Sequence, residues 1–114
     1  MHKVVKKVQN LNIAFAGVLD EVVEAELTID LKCDKVVGIG GLSEQYQDNS
    51  IVEEISFDSK SDLFDRGLRF GFFQSLNNEY IPIDIPNMNR KKVRVRLRNK
   101  QAVSREVQLF FIVE

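Results

Sequence analysis

The chain has 114 residues, of which 44% are apolar and 29% charged, and a net charge of −1. That is the length of one domain with enough apolar side chains for a core. Only 2 prolines, 6 glycines, one cysteine and one histidine are present, which excludes a collagen-like rod, an intrachain disulfide and a Cys/His zinc site within one chain.

No apolar run approaches the roughly 18–20 residues of a membrane-spanning helix. The basic start, Met1-His2-Lys3-Val4-Val5-Lys6-Lys7, has no apolar stretch behind it, so a signal peptide is not expected. Residues 1–10 are read as a flexible N-terminal arm of a single domain spanning 1–114.

Taken in chain order, the periodicity is that of strands. Leu11, Ile13 and Phe15 alternate with Asn12 and Ala14. Val23, Ala25, Leu27, Ile29 and Leu31 alternate with Glu24, Glu26, Thr28 and Asp30, the pattern of a strand with one buried face. A helix over Val18–Leu27 is the competing reading, but it lacks a C-cap, so a strand from about Val22 is preferred.

Lys35–Ile39 makes a short strand that stops at Gly40-Gly41, and a helical turn could follow near Ser43–Gln47. Ile51, Ile55 and Phe57 form a strand closed by the turn-rich Asp58–Asp62. Leu68, Phe70 and Phe72 alternate with Arg69, Gly71 and Phe73. Tyr80–Ile85 follows an Asn77-Asn78 turn, and Pro82 and Pro86 there argue for an edge strand or an extended connection. Val93, Val95 and Leu97 alternate with Lys92, Arg94, Arg96 and Arg98. In the last run Val107, Leu109, Phe111 and Val113 share one face, while Phe110 and Ile112 make the other partly apolar. Cys33 continues the inward phase of its strand and reads as a small buried hydrophobe. The sum is about eight short strands, an all-β antiparallel sandwich or barrel.

Chemical motifs are sparse. Val36–Ser43 resembles the start of a dinucleotide fingerprint, but the third glycine is missing and no further βα units follow. Gly40-Gly41 is read instead as a turn at a strand end. Asp58 and Asp62 could loosely flank a cation but lack an EF-hand pattern. Glu53-Glu54, on successive strand positions, should point to opposite faces. No serine has a nucleophile-elbow setting. Nothing indicates a cofactor, a metal or an enzyme.

Charge is segregated. Residues 1–19 carry three lysines and no acid; 20–65 carry thirteen acids against three bases; 66–114 carry ten bases against four acids. Seven of the sixteen cations lie between Arg90 and Lys100, and Lys92, Arg94, Arg96, Arg98 and Lys100 fall on one strand face. Pairing with Glu24, Glu26 and Asp30 on a neighbouring strand is one reading of the stripe, and contact with another subunit is a second. Binding to single-stranded nucleic acid, with Phe70, Phe73 or Tyr80 as stacking rings, is a weaker third, because the pI is about 5.9. A carbohydrate site would have Tyr46, Phe73 and Tyr80 as its material.

The succession Leu27-Thr28-Ile29-Asp30-Leu31, Val36-Val37-Gly38-Ile39, Ile51–Phe57, Arg69-Phe70-Gly71-Phe72-Phe73, Tyr80-Ile81-Pro82-Ile83, Lys92–Asn99 and Val107–Ile112 resembles that of small single jelly-roll virion proteins, the minor capsid or penton-type subunits of tailless phages. The resemblance covers about residues 23–114. It implies two packed four-stranded sheets, self-assembly around a symmetry axis, contacts with other virion proteins, a virion or cytoplasmic location, and no catalysis. It carries no site residues. The expected function is therefore a non-enzymatic, self-assembling structural subunit. Its candidate contact surfaces are the 92–100 stripe, the acidic residues Glu24, Glu26 and Asp30, and the apolar pair Phe110 and Ile112. Charge reversal at Arg94 and Arg96 is expected to weaken assembly.

Overall fold

A computed structural model describes residues 6–45, 47–58, 67–74 and 80–114. Eight strands are present: β1 (Lys7–Phe15), β2 (Val22–Thr28), β3 (Val36–Ser43), β4 (Ile51–Phe57), β5 (Leu68–Arg69), β6 (Ile81–Ile85), β7 (Lys92–Arg98) and β8 (Arg105–Val113). A 3-10 turn, Phe70–Phe72, follows β5, and no α-helix occurs among the described residues. The strands form two four-stranded antiparallel sheets, ordered β1-β8-β3-β6 and β2-β7-β4-β5. Strand 1 pairs with 8, 2 with 7, 3 with 6 and 4 with 5. That is one long antiparallel ribbon folded over into two layers, a jelly-roll-like winding.

Period-2 patterning supplies the core. Ile13 and Phe15 of β1, Ile39 of β3, and Val107, Leu109, Phe111 and Val113 of β8 point inward from one sheet. Val52, Ile55 and Phe57 of β4 and Val93, Val95 and Leu97 of β7 meet them from the other. The rings of Phe57 and Phe111 touch edge to face across the layers, 6.3 Å between centroids.

Several expectations change, each for a local reason. Lys7–Asn10 belong to β1, paired with Phe110–Val113, rather than to a free arm. β2 ends at Thr28; Ile29 is still buried, but Leu31 sits in the turn and is 64% exposed. Cys33 is buried as expected, held by that turn rather than by strand phase. The 3-10 turn breaks the alternation of the Phe run. In a 3-10 turn residues three apart share a side, so Phe70 and Phe73 are buried together while Phe72 is 58% exposed. No helical turn forms at Ser43–Gln45, which close β3 and bend. His2, Tyr46, the stretch 59–62 with Asp62, and Asn77-Asn78 lie outside the described residues.

Gly40 and Gly41 are not a turn. They lie within β3, opposite Phe110 and Leu109 of β8. A Cβ on Gly40 would come within 2.2 Å of the Phe110 ring, and one on Gly38 within 2.2 Å of the Tyr80 ring. The glycines leave room for two aromatic rings to fold down onto the sheet. No strand-to-helix turn is available at Gly38-Ile39-Gly40 to cradle a phosphate.

Candidate functional site

The outer face of β2-β7-β4 holds the basic stripe, with β7 in the middle. Register places Arg96 between Glu24 and Glu54, and Arg94 between Glu26 and Ser56. Each cation of the stripe meets a carboxylate of the same molecule. Lys92 and Arg94 share Glu26 at 3.3 and 3.1 Å. Arg96 reaches Glu53 at 3.5 Å and Glu54 at 3.3 Å, Arg98 reaches Glu53 at 2.9 Å, and Lys100 reaches Asp20 at 2.6 Å. The Lys92 ammonium, bonded to Glu26, holds that carboxyl below its usual range, and Lys100 does the same to Asp20.

Sequence reasoning found half of this lattice. Glu26 pairs as expected. Glu24 stands opposite Arg96, but that guanidinium turns to β4 instead. Asp30 lies beyond the strand, bonded to Lys7 at 3.3 Å and to the Lys32 N–H at 2.8 Å, away from the stripe. Glu53 and Glu54 were expected on opposite faces; an irregularity in the β4–β7 register between Val52 and Glu54 lets both reach Arg96. A signal for it exists in the sequence. Val52 and Ile55 are both inward yet three apart, a spacing no unbroken strand allows.

A shallow concavity of about 490 Å³ lies over this face, lined by Glu24, Glu26, Glu54, Arg94 and Arg96 among others. It holds no histidine, thiol or hydroxyl nucleophile. Among the described residues no three His, Cys, Asp or Glu side chains converge as metal ligands. No helix of the described chain is long and apolar enough to cross a membrane.

The opposite outer face, on β1-β8-β3-β6, differs in chemistry. One row across it reads Val8, Ile112, Gly38, Pro82; the next centres on Asn10, Phe110 and Gly40; the next on Asn12, Gln108 and Leu42. Val8 is 58%, Leu42 51% and Tyr80 37% exposed. Phe110 is half-buried against Gly40, and Ile112 is 7% exposed between its neighbours. Phe110 and Ile112 therefore do sit on one apolar face, as the sequence indicated. Asn12 and Gln108 satisfy each other through a 2.7 Å hydrogen bond. Aromatic side chains with few charges are the composition of a contact surface's centre.

At one end of the sandwich, the loops after β1, β3 and β7 are tied together from beneath. Arg105 donates to Asp48 through Nε (2.7 Å) and Nη2 (2.9 Å), and its Nη1 donates to Asn99 Oδ1 (2.7 Å). Asn99 Nδ2 donates to Glu21 (2.9 Å), whose carboxylate also accepts the N–H groups of Ala16, Gly17 and Val18. Ser50 and Ser43 complete the shell around Asp48. Burial alone would raise the Asp48 carboxyl, but the Arg105 and Ser50 hydrogen bonds outweigh it and bring it down to about 2. The charge-pattern reading missed this network, because its members are far apart in sequence.

The architecture is that of an all-β antiparallel sandwich with jelly-roll-like strand order. Comparison with protein-family models, with curated proteins and with solved structures gave no match to this chain.

Proposed function

We propose that this chain is a non-enzymatic structural subunit that works by assembling with copies of itself, and that the assembly is a virion component. The observation that carries the reading is the contrast between the two outer faces. One is a lattice of charges already neutralised by one another. The other is a sheet face with exposed Val8, Leu42 and Tyr80 around Phe110 and Ile112. Exposed apolar side chains gathered on one sheet face with few charges, with Ile112 itself only 7% exposed, support a contact there. The virion assignment rests on the resemblance in strand succession alone.

Two observations weigh against the nucleic-acid alternative. The cations that would meet phosphates are engaged by carboxylates, and of the three candidate stacking rings Phe70 and Phe73 are buried while Tyr80 is 37% exposed. Phe73 is lost to a carbohydrate platform for the same reason.

Light scattering of the full chain across a concentration series, at low and high salt, tests the reading. The expected result is an oligomer that persists in high salt, since apolar contacts are not screened. Electron micrographs of the concentrated protein should then show closed rings or shells. A monomer at every concentration and salt would remove self-assembly; an oligomer that never closes would remove the virion assignment.

A further inference from the structure

We infer that the outer face of β1-β8-β3-β6 is the assembly contact, and that its occupant is the same face of a second copy, packed sheet on sheet. This rests on the self-assembly reading and names its surface and symmetry. Three observations carry it.

The face is flat. Aromatic side chains on a strand ordinarily stand up from the sheet. Here the Phe110 ring folds over Gly40 and the Tyr80 ring over Gly38, so neither is a knob that requires a matching hole. A flat face is complementary in shape to its own copy.

The centre of the face is uncharged. Asn10, Asn12, Gln108, Leu42, Val8, Phe110 and Ile112 occupy it, and the acids Glu106 and Asp84 stand on the ends of β8 and β6. In a two-fold contact every residue near the axis meets its own copy. That arrangement is repulsive for a charged residue and favourable for these. The β2-β7-β4 face would bring Arg94, Arg96 and their carboxylates against like charges and strip their water.

The size fits. Four strands about 4.8 Å apart and about eight residues long at about 3.3 Å each make a face of roughly 500 Å² in plan. Two such faces together bury roughly 1,000 Å² in plan, the level a specific interface has to reach. Two such faces would stack about 10 Å apart, as the sheets of a sandwich do.

The test combines variants with a footprint on the unmodified protein. Leu42→Lys and Val8→Lys change exposed side chains and should leave thermal unfolding of the monomer intact. Each is expected to weaken association by roughly tenfold or more, while Arg94→Glu on the other sheet should not. Hydroxyl-radical labelling of the wild-type chain should fall at Tyr80 and Phe110 as concentration drives association. Association that survives both lysine variants with unchanged labelling at Tyr80 and Phe110 would overturn this face and leave self-assembly standing. A wild-type chain that is monomeric throughout, with Tyr80 labelled at every concentration, would overturn self-assembly itself. Labelling that falls only when a different protein is added would assign the face to that partner and overturn the second copy.

Discussion

Asp48 and Arg105 lie 57 positions apart in the chain and are the most enclosed ion pair described, with side chains 0% and 4% exposed. Five hydrogen bonds reach the Asp48 carboxylate, and Arg105 stacks 4.8 Å over the Phe15 ring. Removing one partner strands the other's charge in the interior. Asp48→Asn should therefore lower unfolding free energy by about 3 kcal/mol or more, read by urea denaturation at pH 7. The pair also sets an acid limit. The folded Asp48 carboxyl sits at about 2, against about 3.9 when unfolded. Its contribution is full above the unfolded value and is lost as pH falls from about 4 towards 2, some 2–3 kcal/mol in all. Glu21, held low by Asn99 and by three backbone N–H groups, acts in the same direction. In Asp48→Asn the loss of stability between pH 5 and 2 should be visibly shallower. At Gly40 the issue is space. Gly40→Ala places a methyl against the Phe110 ring, and the ring must lift. A cost of about 1–2 kcal/mol is expected, with Gly40→Ala/Phe110→Ala less destabilised than the sum of the two single variants.

At the scale of elements, β7 joins the two neighbours that give its cations their partners. The pairs are 37–58% exposed on the cationic side, so each contributes little to stability, about 0–1 kcal/mol. Their consequence is neutrality. Arg96→Ala should change the melting temperature only slightly, and single-stranded oligonucleotides should bind the wild-type chain without the steep salt slope of a phosphate-contacting protein. Fluorescence anisotropy at 50 and 200 mM salt measures this directly; tight, salt-sensitive binding would show that the cations leave their carboxylates for phosphate. The seam between the sheets is closed by side chains. The Gln9 amide donates to Thr28 O and accepts from the Asp30 N–H, 3.0 Å each, in the manner of a strand neighbour. At that same end Asn89 donates to the carbonyls of Leu31 and Cys33 at 2.6 and 2.7 Å. The Gln9 bond occupies the Thr28 carbonyl at the end of edge strand β2, and the Asn89 bonds hold the turn that follows it.

At the scale of the molecule, the two layers divide the exterior into a charged face and one that is uncharged at its centre. Segregated charge along the chain allows two readings, acidic and basic strands paired within one molecule, the preferred one, and subunits meeting acid to base. Folding brings the acidic and basic segments together within one molecule, as β2 and β4 flank β7. Electrostatic head-to-tail contact is thus spent internally, and Arg94→Glu with Arg96→Glu is now expected to perturb the β2-β7-β4 surface more than any assembly. Association, where it occurs, should strengthen or hold in salt. The loop end is fixed by the Asp48–Arg105–Asn99–Glu21 network, beneath the exposed side chains of Val18 and Leu19 (62% and 55%) and Val103. Hydrogen-exchange protection of the Ala16–Val18 N–H groups, lost in Asp48→Asn, would register that coupling.

The sequence by itself determined the strands, because period-2 alternation is local: β2, β7 and β8 can be read from nine residues or fewer. The same alternation shows the inward side of β7 and β8 and the partly apolar second face at Phe110 and Ile112, while Pro82 narrowed β6 to an edge strand or an extended connection, and the sheet order made it an edge. Whatever depends on partners distant in the chain emerged on folding. The β4 irregularity put Glu53 and Glu54 on one face, the 3-10 turn reversed the exposure of Phe72 and Phe73, and the Arg96 guanidinium turned to Glu53 and Glu54 of β4 and away from Glu24, its register partner on β2. The glycines of β3 read as a turn because glycine's local meaning is conformational freedom. Their use here is room for rings that arrive from β8 and from Tyr80, and no window of sequence around Gly40 contains the ring that lies on it.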